Sequence, residues 1–203
     1  MTWDDAWREG RTPWDAGCAA PELERALESE PFGPAKNRRA LVPGAGGGHD
    51  AIALARAGFE VTALDIAPHA LATFERNRDA AEVHARLAIA DFFTWTPPAR
   101  FDLIWDYTFL CALLPTQRHR WIARMDALLA EGGVLATLIF PAVEKDADYQ
   151  GPPWPLFPEH VQGLVDDYAS RTGVRFEASY LERAQRSLPP REGNEWLGLW
   201  RRV

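Results

Sequence analysis

The stretch ALVPGAGGGHDAIALARAGFEVTALD, from Ala40 to Asp65, predicts a buried strand, a glycine-rich turn, a short helix and a second strand. Glycine after a strand allows a sharp turn and a close backbone approach to a ligand, and the free N–H groups at a helix start favour negative charge. Asp65 ends the second strand, where a carboxylate can accept hydrogen bonds from the two hydroxyls of a ribose. The stretch therefore predicts a nucleoside site at the carboxyl ends of parallel strands.

The glycine cluster alone leaves two nucleoside ligands open, a dinucleotide or S-adenosylmethionine. In one register, Gly44 and Gly46 are followed by His49, which stands where the dinucleotide fingerprint has its third glycine. In the other register, Gly46, Gly48 and Ala51 satisfy the permissive form of the fingerprint. A tight turn without a ligand is a third interpretation, and His49 itself is interpreted as an ordinary first-turn helix residue.

Length and composition indicate one soluble domain that acts on small molecules. The chain has 203 residues, of which 47% are hydrophobic and 25% charged, and no apolar run approaches the roughly 18 residues of a membrane span. Its N-terminus does not resemble an export signal, so we expect a cytoplasmic location. The net charge of −7 disfavours nucleic acid as a partner. The two cysteines, Cys18 and Cys111, are expected to be free thiols, and no metal site is predicted.

Apolar runs alternate with helical patterns from residue 38 onward, which predicts the α/β class. Buried strands are predicted at 38–43, 59–65, 86–91, 101–106 and 134–140. Helices are predicted at 49–58, from 68 onward, at 116–133 with the two final glycines as its end, and at 159–171. The last segments, 174–183 and 195–203, alternate like a closing antiparallel pair, and the proline-rich insert 141–158 predicts a loop over the site.

Acidic residues follow two further strands. Asp91 and Phe92 come after the third predicted strand, and Asp106 and Tyr107 come after the fourth. Together with Asp65, they suit a ligand that carries a ribose, an amino-bearing base and an α-ammonium group, as S-adenosylmethionine does. A dinucleotide pyrophosphate would be repelled by clustered carboxylates. Each aspartate taken singly is equally consistent with a helix N-cap or a solvated loop end.

With these motifs in order, the chain resembles class I S-adenosylmethionine-dependent methyltransferases, and within them the thiol and halide methyltransferase branch of the thiopurine S-methyltransferase family. The resemblance implies a Rossmann-like fold: a seven-stranded, mostly parallel sheet with one antiparallel strand near the C-terminus and helices on both faces. It also implies a single domain, 1–203, in which residues 1–20 cover the cofactor. The motifs that carry it are WDDAWREGRTPWDAG (3–17), LVPGAGGGHDAIALA (41–55), LDIAPHAL (64–71), DFFTW (91–95), FDLIWDYTFLCAL (101–113) and GPPWPL (151–156).

The resemblance implies S-adenosylmethionine as cofactor and assigns three tryptophans to the segment that covers it. Electron-rich aromatic faces attract a sulfonium as they attract other cations. The alternative is that these tryptophans only attach a terminal helix to the core. The residues expected to bind the cofactor are Trp3, Trp7, Trp14, Gly44, Gly46, Asp65, Asp91, Phe92, Asp106 and Tyr107.

Methyl transfer from a sulfonium is an in-line displacement, and a thiolate, hydrosulfide or halide acceptor needs no deprotonation. Alignment and exclusion of water are then sufficient, so no catalytic acid or base is assigned. The expected acceptor pocket contains Tyr107, Phe140, Trp154 and Arg191. The resemblance implies a tyrosine at the position of Phe140 in plant members of the family, and the absence of its hydroxyl here argues against a preference for halide or thiocyanate. The expected acceptor is a thiol or hydrosulfide, and the alternatives are halide, thiocyanate, and selenium or tellurium oxyanions. Trp154 is equally consistent with a loop anchor, and Arg191 with a solvent-facing side chain.

The sequence is also consistent with two functions of other classes. An NAD(P)-dependent oxidoreductase would use Gly46, Gly48 and Asp65, although the chain lacks a Tyr-x-x-x-Lys pair and a second substrate domain. A binding protein that holds S-adenosylmethionine without turnover is the other alternative. The expected partner is a small-molecule acceptor, with no nucleic acid and no membrane, and the expected oligomeric state is a monomer.

Overall fold

The predicted strand, turn and helix of the opening stretch form in the first of two units of the chain, Met1–Pro98 and Ala99–Val203. The computed structural model describes residues 2–29, 31–146 and 148–203. Three parallel strands in the order β3-β2-β1 build the first unit: β1 (Arg39–Pro43), β2 (Glu60–Asp65) and β3 (Ala85–Ile89). Its helices are α1 (Trp3–Arg8), α2 (Pro21–Ser29), α3 (His49–Arg56) and α4 (Pro68–Ala80).

Four strands build the second unit in the order β4-β5-β7-β6. They are β4 (Phe101–Tyr107), β5 (Leu129–Ile139), β6 (Phe176–Arg183) and β7 (Trp196–Arg202), and the helices are α5 (Arg118–Leu128) and α6 (Pro158–Thr172). β4 pairs with β5 in parallel, whereas β7 runs antiparallel to both β5 and β6. Single 3-10 turns lie at Leu110–Ala112, Pro115–Gln117 and Pro189–Arg191.

The strands confirm the expected fold class: mostly parallel strands, one antiparallel strand near the C-terminus, and helices between them. The strands β1, β4, β5 and β7 follow apolar runs because most of their residues are buried, as Leu41 and Leu135 illustrate at 0% exposure. The strands β3 and β6 are mostly half-buried or exposed. The closing pair 174–183 and 195–203 is confirmed as antiparallel β6 and β7. No helix or strand lies between the end of β5 and the start of α6 among the described residues, so the insert is a loop.

One boundary prediction was wrong. The helix predicted to run to the glycine pair ends at Leu128, and the next residue already pairs with β4. The register jumps from Phe101↔Leu129 to Leu103↔Val134, so residues 130–133 bulge out of the ladder. Both positions in this bulge favour glycine. Gly132 has φ +72°, and a Cβ on Gly133 would lie 2.9 Å from a backbone oxygen. They therefore turn a strand rather than end a helix.

The glycine turn is packed tightly against α4. Gly48 precedes α3 with φ +78°, and a Cβ built on it would lie 2.0 Å from Cδ2 of Phe74. Phe74 is fully buried in α4, so its ring cannot give way. Only glycine fits this position, because any side chain would be strained in the backbone and would also overlap the ring.

We predict that Gly48→Ala lowers the free energy of unfolding by about 2–4 kcal/mol, which combines the left-handed backbone penalty with overpacking against Phe74. Gly17→Ala is the matched control, since Gly17 has φ +71° and nothing within 4 Å of its would-be Cβ. The control should lose only about 1–2 kcal/mol, from the backbone term alone. Urea unfolding followed by tryptophan fluorescence measures both values. Equal losses in the two variants would show that the Phe74 contact is unimportant.

Candidate functional site

The carboxylate of Asp65 holds the glycine turn against the tip of β2. Its Oδ2 accepts the Gly46 N–H at 2.9 Å and its Oδ1 accepts the Ala67 N–H at 2.9 Å. The backbone adds a third link, since the Ala45 N–H donates to the Leu64 carbonyl at 3.1 Å. The predicted turn and the predicted acidic strand end are therefore one hydrogen-bonded structure.

Burial raises the pKa of Asp65, and the N–H groups of Ala67, Gly46 and Ile66 offset part of that rise. The negative charge of Asp4 raises the pKa further. A carboxylate that is poorly solvated by water accepts hydrogen bonds strongly from any donor brought to it. This corner of the first unit is therefore suited to hydroxyl donors or a cation and is unfavourable for a phosphate.

Two aspartates attach the N-terminal segment to the starts of α3 and α4. Asp4 accepts the backbone N–H of His69 at 2.9 Å, and its other oxygen lies 2.9 Å from the His69 Nδ1. Asp15 lies 3.2 Å from the Nε2 of His49. His49 is the first residue of α3, in agreement with the prediction of a first-turn helix residue. The segment from Asp4 to Asp15 thus lies beside the glycine turn.

Trp7 packs directly on the glycine turn, because a Cβ on Gly46 would lie 3.0 Å from the Cζ2 of its ring. Trp3 and Trp14 meet edge to face, with ring centroids 5.2 Å apart, and Trp3 keeps 39% of its surface exposed. The structure brings these tryptophans together in one segment of the first unit. Their contact with a cofactor stays a prediction.

The ends of β2 and β3 carry exposed apolar side chains that sequence reasoning missed. Ile66 is 56% exposed and Ile89 61% exposed, and Ile89 is the register partner of Asp65. By contrast, the predicted Phe92 is buried, and Asp91 accepts the N–H of Phe93 at 2.9 Å. The sequence did contain a signal for Ile66, because this apolar residue directly follows the acidic strand end at Asp65. The exposed isoleucines offer apolar surface beside Asp65 for the flat face of a base.

Three of the four predicted pocket residues form one cluster in the second unit, around a residue that was not predicted. The Tyr107 hydroxyl donates to Glu195 Oε1, and Arg191 Nη1 donates to the Tyr107 oxygen. The Arg191 guanidinium carbon lies 5.1 Å from the Tyr107 ring centroid and 5.0 Å from that of Phe140, so the cation is in contact with both rings.

Strand direction explains why these residues meet. Tyr107 ends β4, and Phe140 follows β5. Because β7 is antiparallel to β5, with Ile139 opposite Trp196, the residue before β7 lies at the carboxyl ends of β4 and β5. That residue is Glu195. No spacing in the sequence relates it to Tyr107, which lies 88 positions away.

The cluster consists of one buried carboxylate and three partly exposed partners. Glu195 is 1% exposed, and its Oε2 has no hydrogen-bond partner among the described residues. Tyr107, Phe140 and Arg191 are each only partly buried. Burial raises the pKa of the Tyr107 phenol, the charge of Glu195 raises it further, and the charge of Arg191 offsets part of the rise. The phenol therefore stays protonated at neutral pH.

Trp154 lies on an anchored loop. Its backbone N–H donates to the Cys111 carbonyl at 2.7 Å, and its ring meets Tyr149 edge to face at 6.4 Å. Arg118 donates to the Pro155 carbonyl at 3.1 Å and holds the same loop. These contacts support the loop-anchor interpretation, and none of the described contacts joins Trp154 to the Tyr107 cluster. Its role in a pocket stays a prediction.

Asp106 is fully buried, and the chain itself occupies its oxygens. The Leu110 N–H donates to Oδ1 at 3.1 Å, and the indole of Trp121 donates to Oδ2 at 2.7 Å. Burial raises the pKa of Asp106 to about 6, against these donors. The contacts favour a role in holding the segment after β4, and cofactor binding by Asp106 stays a prediction. The first residue of that segment, Thr108, has φ +60°, which is strained for a β-branched residue.

Both cysteines are free thiols, with Cys18 exposed and Cys111 buried. Burial raises the pKa of the Cys111 thiol to about 12, and the charge of Asp106 contributes, so this thiol is a poor nucleophile. Within residues 2–29, 31–146 and 148–203, no group of three or more His, Cys, Asp or Glu side chains is arranged to hold a metal ion. No helix in the same ranges is long and apolar enough to cross a bilayer.

Comparison with known proteins gives one family. The family model described as Thiopurine S-methyltransferase (TPMT) matches residues 1–202. A probable thiol methyltransferase 2 from Arabidopsis thaliana is 37% identical over 98% of this chain and 84% of its own length. Thiocyanate methyltransferase 1 from Brassica oleracea is 36% identical over 99% of this chain and 84% of its own length.

Solved structures agree on the fold. The 1,6-didemethyltoxoflavin-N1-methyltransferase of Burkholderia thailandensis, crystallised with 1,6-didemethyltoxoflavin and S-adenosylhomocysteine, is similar with a TM-score of 0.72. The similarity covers 98% of this chain and 84% of that chain at 20% identity, so it supports the fold alone. The expected Rossmann-like methyltransferase fold is confirmed.

The raised pKa of Asp106 predicts a pH-dependent stability. The folded chain binds this proton more tightly than the unfolded chain does, because the ordinary pKa is 3.8 and the folded value is about 6. Stability from this group is therefore lost as pH rises through that interval. Relative to Asp106→Asn, the wild type should lose about 2 kcal/mol of unfolding free energy between about pH 4.5 and 7.5. Urea titrations at both pH values check this, and a pH-independent difference would contradict the assignment.

Proposed function

The chain belongs to the thiopurine S-methyltransferase family, and we propose that it transfers the methyl group of S-adenosylmethionine to a small soft nucleophile, a thiol or hydrosulfide. The observation that carries this proposal is the Asp65 carboxylate, which is bonded to the glycine turn and flanked by exposed apolar side chains. Family membership makes the chain an enzyme of the transferase class and S-adenosylmethionine its methyl donor.

The geometry of the turn argues against a dinucleotide. In a dinucleotide site, backbone N–H groups of the turn face the pyrophosphate. Here the Gly46 N–H donates to Asp65, and the Trp7 ring covers the open side of Gly46. Asp4 adds negative charge beside the same carboxylate. A phosphate at this corner would meet repulsion, whereas a sulfonium or ammonium group would meet attraction.

The described residues of the first unit fit the parts of S-adenosylmethionine. Asp65 would accept the ribose hydroxyls, Ile66 and Ile89 would pack on the adenine, and Asp91 would accept its amino group. Trp7 would present an aromatic face to the positive end of the molecule. When bound, the donor supplies a methyl group on a positively charged sulfur, and these residues bind and orient it.

The second unit supplies the acceptor chemistry in this proposal. Relatives of the chain are a probable thiol methyltransferase and a thiocyanate methyltransferase, which act on soft nucleophiles by name. The aromatic rings of Tyr107 and Phe140 suit a polarisable sulfur, and the Arg191 cation over them suits an anionic or anion-forming group. Halide, thiocyanate, and selenium or tellurium oxyanions are the alternative acceptors, and a volatile-product assay compares them with thiols.

We propose further that the protein acts as a cytoplasmic monomer on small molecules without a nucleic-acid partner. The net charge of −7 supports this, because association with a phosphate backbone requires clustered positive charge. The two free thiols are consistent with a reducing compartment. Analytical ultracentrifugation of the purified protein decides the oligomeric state.

Calorimetry and a volatile-product assay together test the function. We expect heat of binding with S-adenosylhomocysteine and none with NADH, and methylated products from thiophenol and hydrosulfide. Iodide, thiocyanate, selenite and tellurite are assayed alongside. Binding of NADH alone would contradict the proposal. Binding of S-adenosylhomocysteine without any methylated product would indicate a binding protein instead.

We predict that Asp65→Ala weakens binding of S-adenosylhomocysteine by about 10- to 100-fold, the cost of losing a buried polar partner. Asp79→Ala is the control, since the Asp79 side chain is 70% exposed in the same unit and should leave affinity unchanged. Isothermal titration calorimetry measures affinity, and circular dichroism verifies that both variants are folded. Unchanged affinity in a folded Asp65→Ala protein would remove Asp65 from the cofactor site.

A further inference from the structure

Glu195 is a buried carboxylate in the proposed acceptor cluster. Its side chain is 1% exposed, Oε1 accepts the Tyr107 hydroxyl, and Oε2 has no hydrogen-bond partner among the described residues. A buried carboxylate oxygen without a donor carries an uncompensated desolvation cost. Such a group at a proposed site is a candidate for proton transfer.

An enzyme for halide or thiocyanate would have no use for this group. Those acceptors carry no proton, and a negative charge beside them would oppose their binding. A thiol is different, because its S–H bond must break when the sulfur is methylated, and its proton needs an acceptor. The buried carboxylate therefore favours a thiol over a halide or thiocyanate.

We propose, building on the proposed methyltransferase function, that the natural acceptor is a protonated thiol and that Glu195 receives its proton through the Tyr107 hydroxyl. Tyr107 is partly exposed while Glu195 is not, so an acceptor can reach the phenol but not the carboxylate. Arg191 donates to one lone pair of the phenol oxygen, which leaves the other for the thiol S–H.

The proton transfer balances within the cluster. The thiol proton passes to the Tyr107 oxygen as the phenolic proton passes to Glu195 Oε1, so Tyr107 is unchanged and Glu195 becomes neutral. The sulfur electron pair forms the new S–CH₃ bond. The bond between the methyl carbon and the donor sulfur breaks, and its electron pair stays on the departing thioether.

Each member of the cluster has a separate task in this step. The high pKa of Tyr107 suits a relay, since the phenol passes a proton on without remaining ionised. The Arg191 guanidinium, held over the Tyr107 and Phe140 rings, stabilises negative charge that develops on the sulfur. Glu195 acts on the thiol only through Tyr107, so it is a positioning residue. It is also the final proton acceptor.

The test compares two thiols on one variant. One is an aliphatic thiol, such as 2-mercaptoethanol, which is mostly protonated at neutral pH, and the other is 4-nitrothiophenol, which is already ionised. We expect Glu195→Gln to lower kcat with the aliphatic thiol by about 100-fold or more, the usual contribution of a general base. With the ionised thiol, kcat should change by less than about threefold, because no proton has to be moved.

Two further variants ensure that the test does not depend on whether Glu195→Gln folds. Tyr107→Phe should show the same selective loss, since it removes the relay and leaves Glu195 in place. Glu192→Gln is the matched control, because Glu192 is exposed three positions earlier and should leave both rates unchanged. Binding of S-adenosylhomocysteine is measured for every variant. It should equal that of the wild type in Glu195→Gln and Glu192→Gln, and the rates of Tyr107→Phe are compared at saturating S-adenosylmethionine.

Each contrary outcome has a distinct meaning. Equal loss with both thiols in Glu195→Gln and Tyr107→Phe would overturn the proton transfer and leave Glu195 a structural counter-ion of the cluster. Unchanged rates with both thiols would overturn it as well. A wild type that methylates iodide or thiocyanate but not the aliphatic thiol would overturn the acceptor class while the methyltransferase function stands. A wild type that neither binds S-adenosylhomocysteine nor methylates any acceptor would contradict the proposed function itself.

Discussion

The pair of hydrogen bonds from Gly46 and Ala67 to the Asp65 carboxylate is the constraint on which the first unit depends. It places a poorly solvated negative charge at the tip of β2 and fixes the path of the glycine turn above it. The packing of Gly48 on Phe74 also holds the turn. In the proposed function, a turn held in this way selects a ligand with hydroxyl donors and positive charge over a pyrophosphate.

The antiparallel strand β7 has the corresponding role in the second unit. In a purely parallel arrangement, the residue that precedes a strand lies at the opposite edge of the sheet from the residues that follow its neighbours. Reversal of β7 brings Glu195 to the carboxyl ends of β4 and β5, next to Tyr107 and Phe140. The reversed strand is therefore the reason why a buried carboxylate can join the Tyr107 cluster.

Sequence patterns predicted the parts of the fold that depend on local periodicity. The strand before the glycine turn, the α3 and α4 helices, and the closing antiparallel pair all have such patterns. The family resemblance supplied the number of strands and the single antiparallel strand near the C-terminus. The end of α5 was predicted wrongly, because the bulge at Gly132 depends on pairing with a distant strand. Glu195 was missed for the same reason: burial and partnership with Tyr107 arise only in the folded chain. Ile66 was overlooked although it directly follows Asp65 in sequence.

A crystal structure of the protein with S-adenosylhomocysteine tests the central claim most directly. We predict that both ribose hydroxyls lie within hydrogen-bond distance of the Asp65 carboxylate, at about 2.6–3.2 Å, with the Gly46 N–H still bound to the same side chain. A ribose bound elsewhere, with Asp65 in contact only with Gly46 and Ala67, would contradict the account.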